Sequence, residues 1–141
     1  MLSDLRGMRQ LVGEQLLFLQ LLAAALLMRI EMRHTGLRRL VTMKPECRWM
    51  SHRGPADEKR LVALVDRASR ATLGRRRCLV RALLLCRLLK SAGRAPVLNL
   101  GIAKQDGRFL SHAWVSVEGR ALGERGDIEQ RFRTITSIMA A

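Results

Sequence analysis

The hydrophobic pattern of this 141-residue chain changes period at Pro96, and that change constrains the fold more than any other feature. Before it, Cys78 to Lys90 reads CLVRALLLCRLLK. Dense leucine with no Gly or Pro makes this a helix, apolar at most positions and therefore mostly buried. Ser91-Ala92-Gly93 stops it. After Pro96, Val97, Asn99 and Gly101 alternate with Leu98, Leu100 and Ile102, and Asp106-Gly107 supplies a turn before Phe109 to Val117. This is a β-hairpin. Glu118-Gly119 offers a second turn, so Ala121-Leu122 continues a small antiparallel sheet. Helices first and strands after define an α+β fold. Around Ile128, Phe132, Ile135 and Met139 the tail follows helical spacing, although its Thr and Ile content also admits a strand.

Upstream, Gly54-Pro55-Ala56-Asp57-Glu58 reads as a helix start, with Pro in the first turn and acids at the positive end of the helix dipole. Leu61, Leu64, Val65, Ala68 and Thr72 keep helical spacing until Gly74 ends it. Gly36 to Pro55 holds two of the three prolines and little period, which marks a connecting segment. The chain thus divides into residues 1–50, a helical arm and linker, and residues 51–141, the main domain. The arm contains Leu16 to Met28, apolar except for Gln20 and shorter than the ~18–20 residues that span a bilayer. Its flanks carry both signs of charge, unlike those of a signal peptide. A helix apolar all round needs a cover: the domain itself, a partner protein or a membrane surface contacted peripherally.

Lys and Arg number 26 against 12 Asp and Glu, a balance of +14 that attracts phosphates, acidic lipid surfaces or an acidic protein. Nine of the basic residues fall between Arg67 and Arg94, where there is no acid. Their plain role is a solvated face; their functional one is attraction of an acidic peptide or partner. Nucleic acid is disfavoured, because aromatics are only 4% with no Tyr to form a stacking platform. The three cysteines, Cys47, Cys78 and Cys86, are an odd count that suits a reducing cytoplasm. Within one helix Cys78 and Cys86 stand ~12 Å apart, beyond disulfide reach. His34, His52 and His112 are scattered and no cysteine pair has zinc-knuckle spacing, so no metal is expected. Nor is a cofactor, since a Gly-rich phosphate loop is missing.

Cys78 lies where a loop becomes a buried helix, facing free N–H groups and the positive dipole end, both of which favour a thiolate. Arg75, Arg76, Arg77 and Arg81 add positive charge around it. His112, in Ser111-His112-Ala113-Trp114, shares a strand face with Leu110 and Trp114. If that face packs against the start of the cysteine helix, His112 can take the thiol proton and return it to a leaving amine. Such an imidazole needs an acceptor on its other nitrogen. Glu124, Glu118 and Asp127 all qualify on spacing. Against this stands the commoner fate of a free Cys and a lone strand His, both as inert core residues.

The stretch from about Arg60 to Glu124 nevertheless resembles the transglutaminase-like cysteine proteases of lasso-peptide biosynthesis. The resemblance is carried by Cys78-Leu79-Val80-Arg81-Ala82-Leu83 at a helix start, by Gly93 and Pro96 before the strands, and by His112-Ala113-Trp114-Val115 followed by Glu118-Gly119-Arg120. It implies a papain-like core and a Cys-His-Asp triad, with Cys78 as nucleophile and His112 as base. Glu124 falls where the family usually has aspartate, a departure of one methylene. Similar proteins cut the leader from a ribosomally made precursor, often behind a penultimate leader threonine, together with a small leader-binding recognition protein. An asparagine-synthetase-like macrolactam cyclase then closes the ring with ATP. Two other readings stay open: a non-catalytic basic adaptor for an acidic partner, and acyl transfer to an amine on the same fold.

Overall fold

A computed structural model describes residues 2–42, 58–71 and 77–140 of the chain. Its elements are α1 (Leu2–His34), α2 (Leu37–Thr42), α3 (Glu58–Ala71), α4 (Arg77–Ser91), β1 (Val97–Gln105), β2 (Arg108–Val117), β3 (Arg120–Ala121), α5 (Ile128–Arg131) and β4 (Arg133–Met139). The four strands form one antiparallel sheet in the order β3-β2-β1-β4. The helices α1 to α4 precede the strands, as the change of period at Pro96 requires, with only the one-turn α5 set between β3 and β4, and the class is α+β.

Helix α4 is the centre of the molecule. Val80, Leu83, Leu84, Leu85, Cys86, Leu88 and Leu89 are all buried, because the helix is enclosed by α1 and α3 and lies against β2. Leu21, Ala24, Ala25 and Met28 of α1 share one cluster with it, together with Leu61, Leu64, Val65 and Ala68 of α3. The sheet contributes Leu98, Ala113, Val115 and Val117. Side chains on a strand alternate between faces. The intervening residues His112, Trp114 and Ser116 therefore point to the far side of β2, away from α4.

That far face has its own order. Asn99 donates to Ser116 Oγ at 2.9 Å and accepts from Ser137 Oγ at 2.7 Å, so one amide ties β1 to both of its neighbours. Trp114 is fully buried there, and it fits only because residue 101 has no side chain: a Cβ on Gly101 would lie 2.8 Å from the indole ring. Gly101→Ala is expected to cost about 1–3 kcal/mol, read as a lower urea midpoint with an unchanged slope.

Three expectations change. The connecting segment after Gly36 contains helix α2, whose Leu40 and Val41 are buried; six residues are too few for a period to show against flanking arginines. The tail is helical only at Ile128–Arg131, where Asp127 caps the helix by accepting from the Glu129 and Gln130 N–H groups. It then runs as β4, because β1 offers a free edge and pairs with it from Val97↔Met139 to Ile102↔Arg133. The apolar run of the arm also belongs to a longer helix, of which Gly7–His34 is long and apolar enough by length and composition to cross a membrane. Pro55, Thr72, Gly74 and the division near residue 50 fall outside the described residues.

Candidate active site

Cys78 is the second residue of α4, and its half-buried sulfur meets the edge of β2. That edge is open because β3 is short: it pairs with β2 at Ser116 and Val117, one more bond runs from the Leu122 N–H to the Val115 carbonyl at 2.9 Å, and the pairing stops before Ala113. The Ala113 N–H is thus free to donate to the sulfur, and the Leu79 N–H donates from the helix start. His112 also hydrogen-bonds the sulfur. Its face does not pack on α4, so the contact the sequence sought across a helix–sheet interface forms instead at the strand edge.

The other side of the imidazole is occupied as well. His112 Nε2 lies 3.1 Å from Glu124 Oε2, leaving Nδ1 as the nitrogen available to the sulfur. Of the three carboxylates open on spacing, Glu124 is the one brought to His112. Glu118 sits in the turn at φ 52 and Asp127 caps α5. His112 is braced by rings, with Phe132 at 5.2 Å between centroids and Trp114 stacked at 6.2 Å.

Glu124 is itself held. Arg81, one turn along α4 from Cys78, donates through Nη1 to Glu124 Oε1 at 2.9 Å and through Nη2 to the Gly123 carbonyl at 3.0 Å, while its Nε is bonded to Asp66 of α3. The guanidinium thus joins α3, α4 and the segment after β3. A side chain at Gly123, whose φ is +66, would collide with it. Sequence reasoning placed Arg81 as a cation acting on the thiol. It turns instead to two carboxylates, which compete for it more strongly than a thiol does. Asp66 was missed altogether. The available signal was an arginine set among apolar residues in the first half of a mostly buried helix, since a buried guanidinium requires an anionic partner. Arg75, Arg76, Cys47 and His52 lie outside the described residues.

The electrostatics follow from these contacts. The hydrogen bond from His112 lowers the Cys78 thiol; burial opposes this, while the Ala113 N–H, the imidazolium charge and the Leu79 N–H add to it. His112 is pushed up to about 9, first by Cys78 and next by Glu124, against the effect of burial. The arrangement favours a thiolate beside an imidazolium. Cys86 is the contrast: desolvation pushes its buried thiol up to about 12. Asp66, Arg70, Arg77 and Arg81 line an open cleft of about 250 Å³ with Cys78, His112 and Glu124, so the thiol faces solvent.

A profile of the transglutaminase-like superfamily matches residues 19–137, from within α1 to β4. The chain belongs to the transglutaminase-like superfamily. Curated proteins and solved structures return no significant match. Transglutaminase-like proteins are typically cysteine-dependent enzymes, working as cysteine proteases or acyltransferases.

For this transglutaminase-like site a direct chemical test is alkylation. Cys78 is expected to react with iodoacetamide at neutral pH, the rate falling as acid protonates the lowered thiol. His112→Ala removes the main cause of that lowering and should slow alkylation at pH 7 by about tenfold. Folding linkage carries the matching sign. The stabilisation from the raised His112 is fully present below its unfolded value near 6.5 and is lost as pH rises through about 9.

Proposed function

We propose that this chain is a cysteine peptidase with a papain-like core that removes the leader from a ribosomally made lasso-peptide precursor in the cytoplasm. One observation carries the reading: the hydrogen-bonded row from Cys78 through His112 to Glu124, opening on a cleft. The Cys78 thiolate attacks the carbonyl of the leader–core peptide bond, giving a tetrahedral oxyanion. Helix α4 begins at Arg77, so the Cys78 N–H has no partner within the helix and is available to that oxyanion. His112 passes its proton to the departing core amine as the C–N bond breaks, leaving a leader thioester on sulfur. It then takes a proton from water, which attacks the thioester and frees the leader carboxylate. Glu124 keeps the imidazole oriented and offsets its charge throughout.

Release of a free core amine is what ring closure requires, so the partners are a leader-binding recognition protein and an ATP-using, asparagine-synthetase-like macrolactam cyclase. Exposed Arg70 and Arg77 at the cleft suit acidic leader residues, and cleavage should weaken as salt rises. Cleavage is expected to rise with pH as Cys78 ionises and to fall near 9 as His112 loses the proton it must donate.

Mass spectrometry of a precursor incubated with this chain and the recognition protein tests the reading, with Cys78→Ala as control. Separate leader and core from the wild type alone support it. Leader joined to an added amine would assign acyl transfer instead, and an intact but bound precursor in both samples would assign a basic adaptor.

A further inference from the structure

The 33-residue α1, about 50 Å long, is apolar on two opposite sides. One side carries Leu21, Ala24, Ala25 and Met28 into the core. At 100° per residue the opposite side presents Val12, Leu16, Leu19, Leu26, Leu27 and Ile30, each between 50% and 59% exposed. Monomeric soluble proteins rarely expose so large a contiguous apolar surface without a use for it.

From Arg9 onward the acids and arginines of the helix take different sides. Glu14 pairs with Arg60 at 2.6 Å and Glu31 with Arg87 at 2.8 Å, so these two acids turn toward α3 and α4. Arg9, Arg29 and Arg33 are exposed around the apolar side and make no ion pair among the described residues. The outward face therefore combines leucines with a cationic rim. We infer that the outward face of α1 seats on an anionic bilayer surface, its leucines entering the headgroup boundary and its arginines meeting lipid phosphates.

Two alternatives fit less well. A second copy of the chain brings +14 against +14, and an antiparallel pairing that aligns Val12 with Ile30 sets Arg9 against Arg33. Spanning the bilayer would strip away the core contacts of Leu21 and Met28 and expose two ion-paired glutamates to hydrocarbon. Lying in the interface keeps the core contacts, and it does not depend on what Cys78 does.

Co-sedimentation of the full chain tests this with two vesicle types, phosphatidylcholine alone and phosphatidylcholine mixed equally with phosphatidylglycerol. The chain is expected to pellet with the anionic vesicles and at least tenfold less with the neutral ones. Leu16→Gln, Leu19→Gln and Leu26→Gln together should leave it in the supernatant. Arg29→Gln with Arg33→Gln should weaken binding by roughly tenfold or more at low salt. All five positions are exposed, so the circular dichroism and urea midpoint should hold. A chain that stays in the supernatant with both vesicle types overturns the inference. So does equal pelleting with both that the substitutions leave unchanged. A concentration-dependent dimer dissolved by the leucine substitutions would also overturn it, assigning the face to a second copy.

Discussion

Cys78→Ala is expected to lower peptide cleavage by about ten-thousand-fold or more while leaving the fold intact. Removing the nucleophile abolishes the thioester path, and binding plus the oxyanion donor supply only the residual rate. The side chain is half-buried and packs at the edge of the main cluster, so its loss leaves a small, open defect rather than a sealed cavity. Circular dichroism and the urea midpoint should stay close to wild type. Peptide mapping after iodoacetamide supplies the check that the thiol and not the helix is responsible. Wild type should carry the label at Cys78 and spare Cys86, which is 1% exposed and has its thiol pushed up to about 12. A Cys78→Ala protein that still cuts the precursor at wild-type rate would remove the peptidase reading and leave Cys78 a packing residue.

The second large effect belongs to Arg81. Its side chain is 13% exposed and stands between two carboxylates, Glu124 at 11% and Asp66 at 26%. Arg81→Met keeps most of the volume and removes the charge, so Asp66 loses its cation and Glu124 keeps only His112. Breaking a buried pair from one side costs ~3–5 kcal/mol, and the partial exposure of Asp66 places the expected loss near the lower end, about 3 kcal/mol. Thermal unfolding should shift down by about 10 °C.

Activity reports the positioning role separately. Glu124 no longer holds His112, so kcat should fall by more than KM rises. The falling limb of the pH profile should also move below about 9, because the carboxylate contact that raises His112 is weakened. Arg81→Lys should recover part of the stability but little of kcat, since a single ammonium cannot bond Glu124, the Gly123 carbonyl and Asp66 together. An Arg81→Met protein that loses stability with an unchanged pH profile would make the residue structural alone.

Much of this architecture is legible along the chain. The buried helix beginning near Cys78, the hairpin turning at Asp106-Gly107 and the order of helices before strands are local properties, written in the spacing of leucines and the positions of Gly and Pro. The turn residues Asp106 and Gly107 both take positive φ, as a tight hairpin needs. Cys78 at a helix start and His112 on a strand are likewise local facts, and their residue types already suggest nucleophile and base.

What lies beyond the sequence is everything that depends on which edges and faces meet. Helical and strand spacing coincide over the short tail, and only the free edge of β1 makes Arg133–Met139 a strand. Glu118, Glu124 and Asp127 are chemically alike on paper. The brevity of β3 and the grip of Arg81 decide which of them reaches His112. Asp66 gave no local sign of belonging to the site, because its partner lies on the next helix. Elements and reactive residue types can be read from the chain, since they depend on neighbours along it. Partners come from packing, since a hydrogen bond depends on distance in space and residues 66, 78, 112 and 124 become neighbours only when α3, α4 and β2 meet.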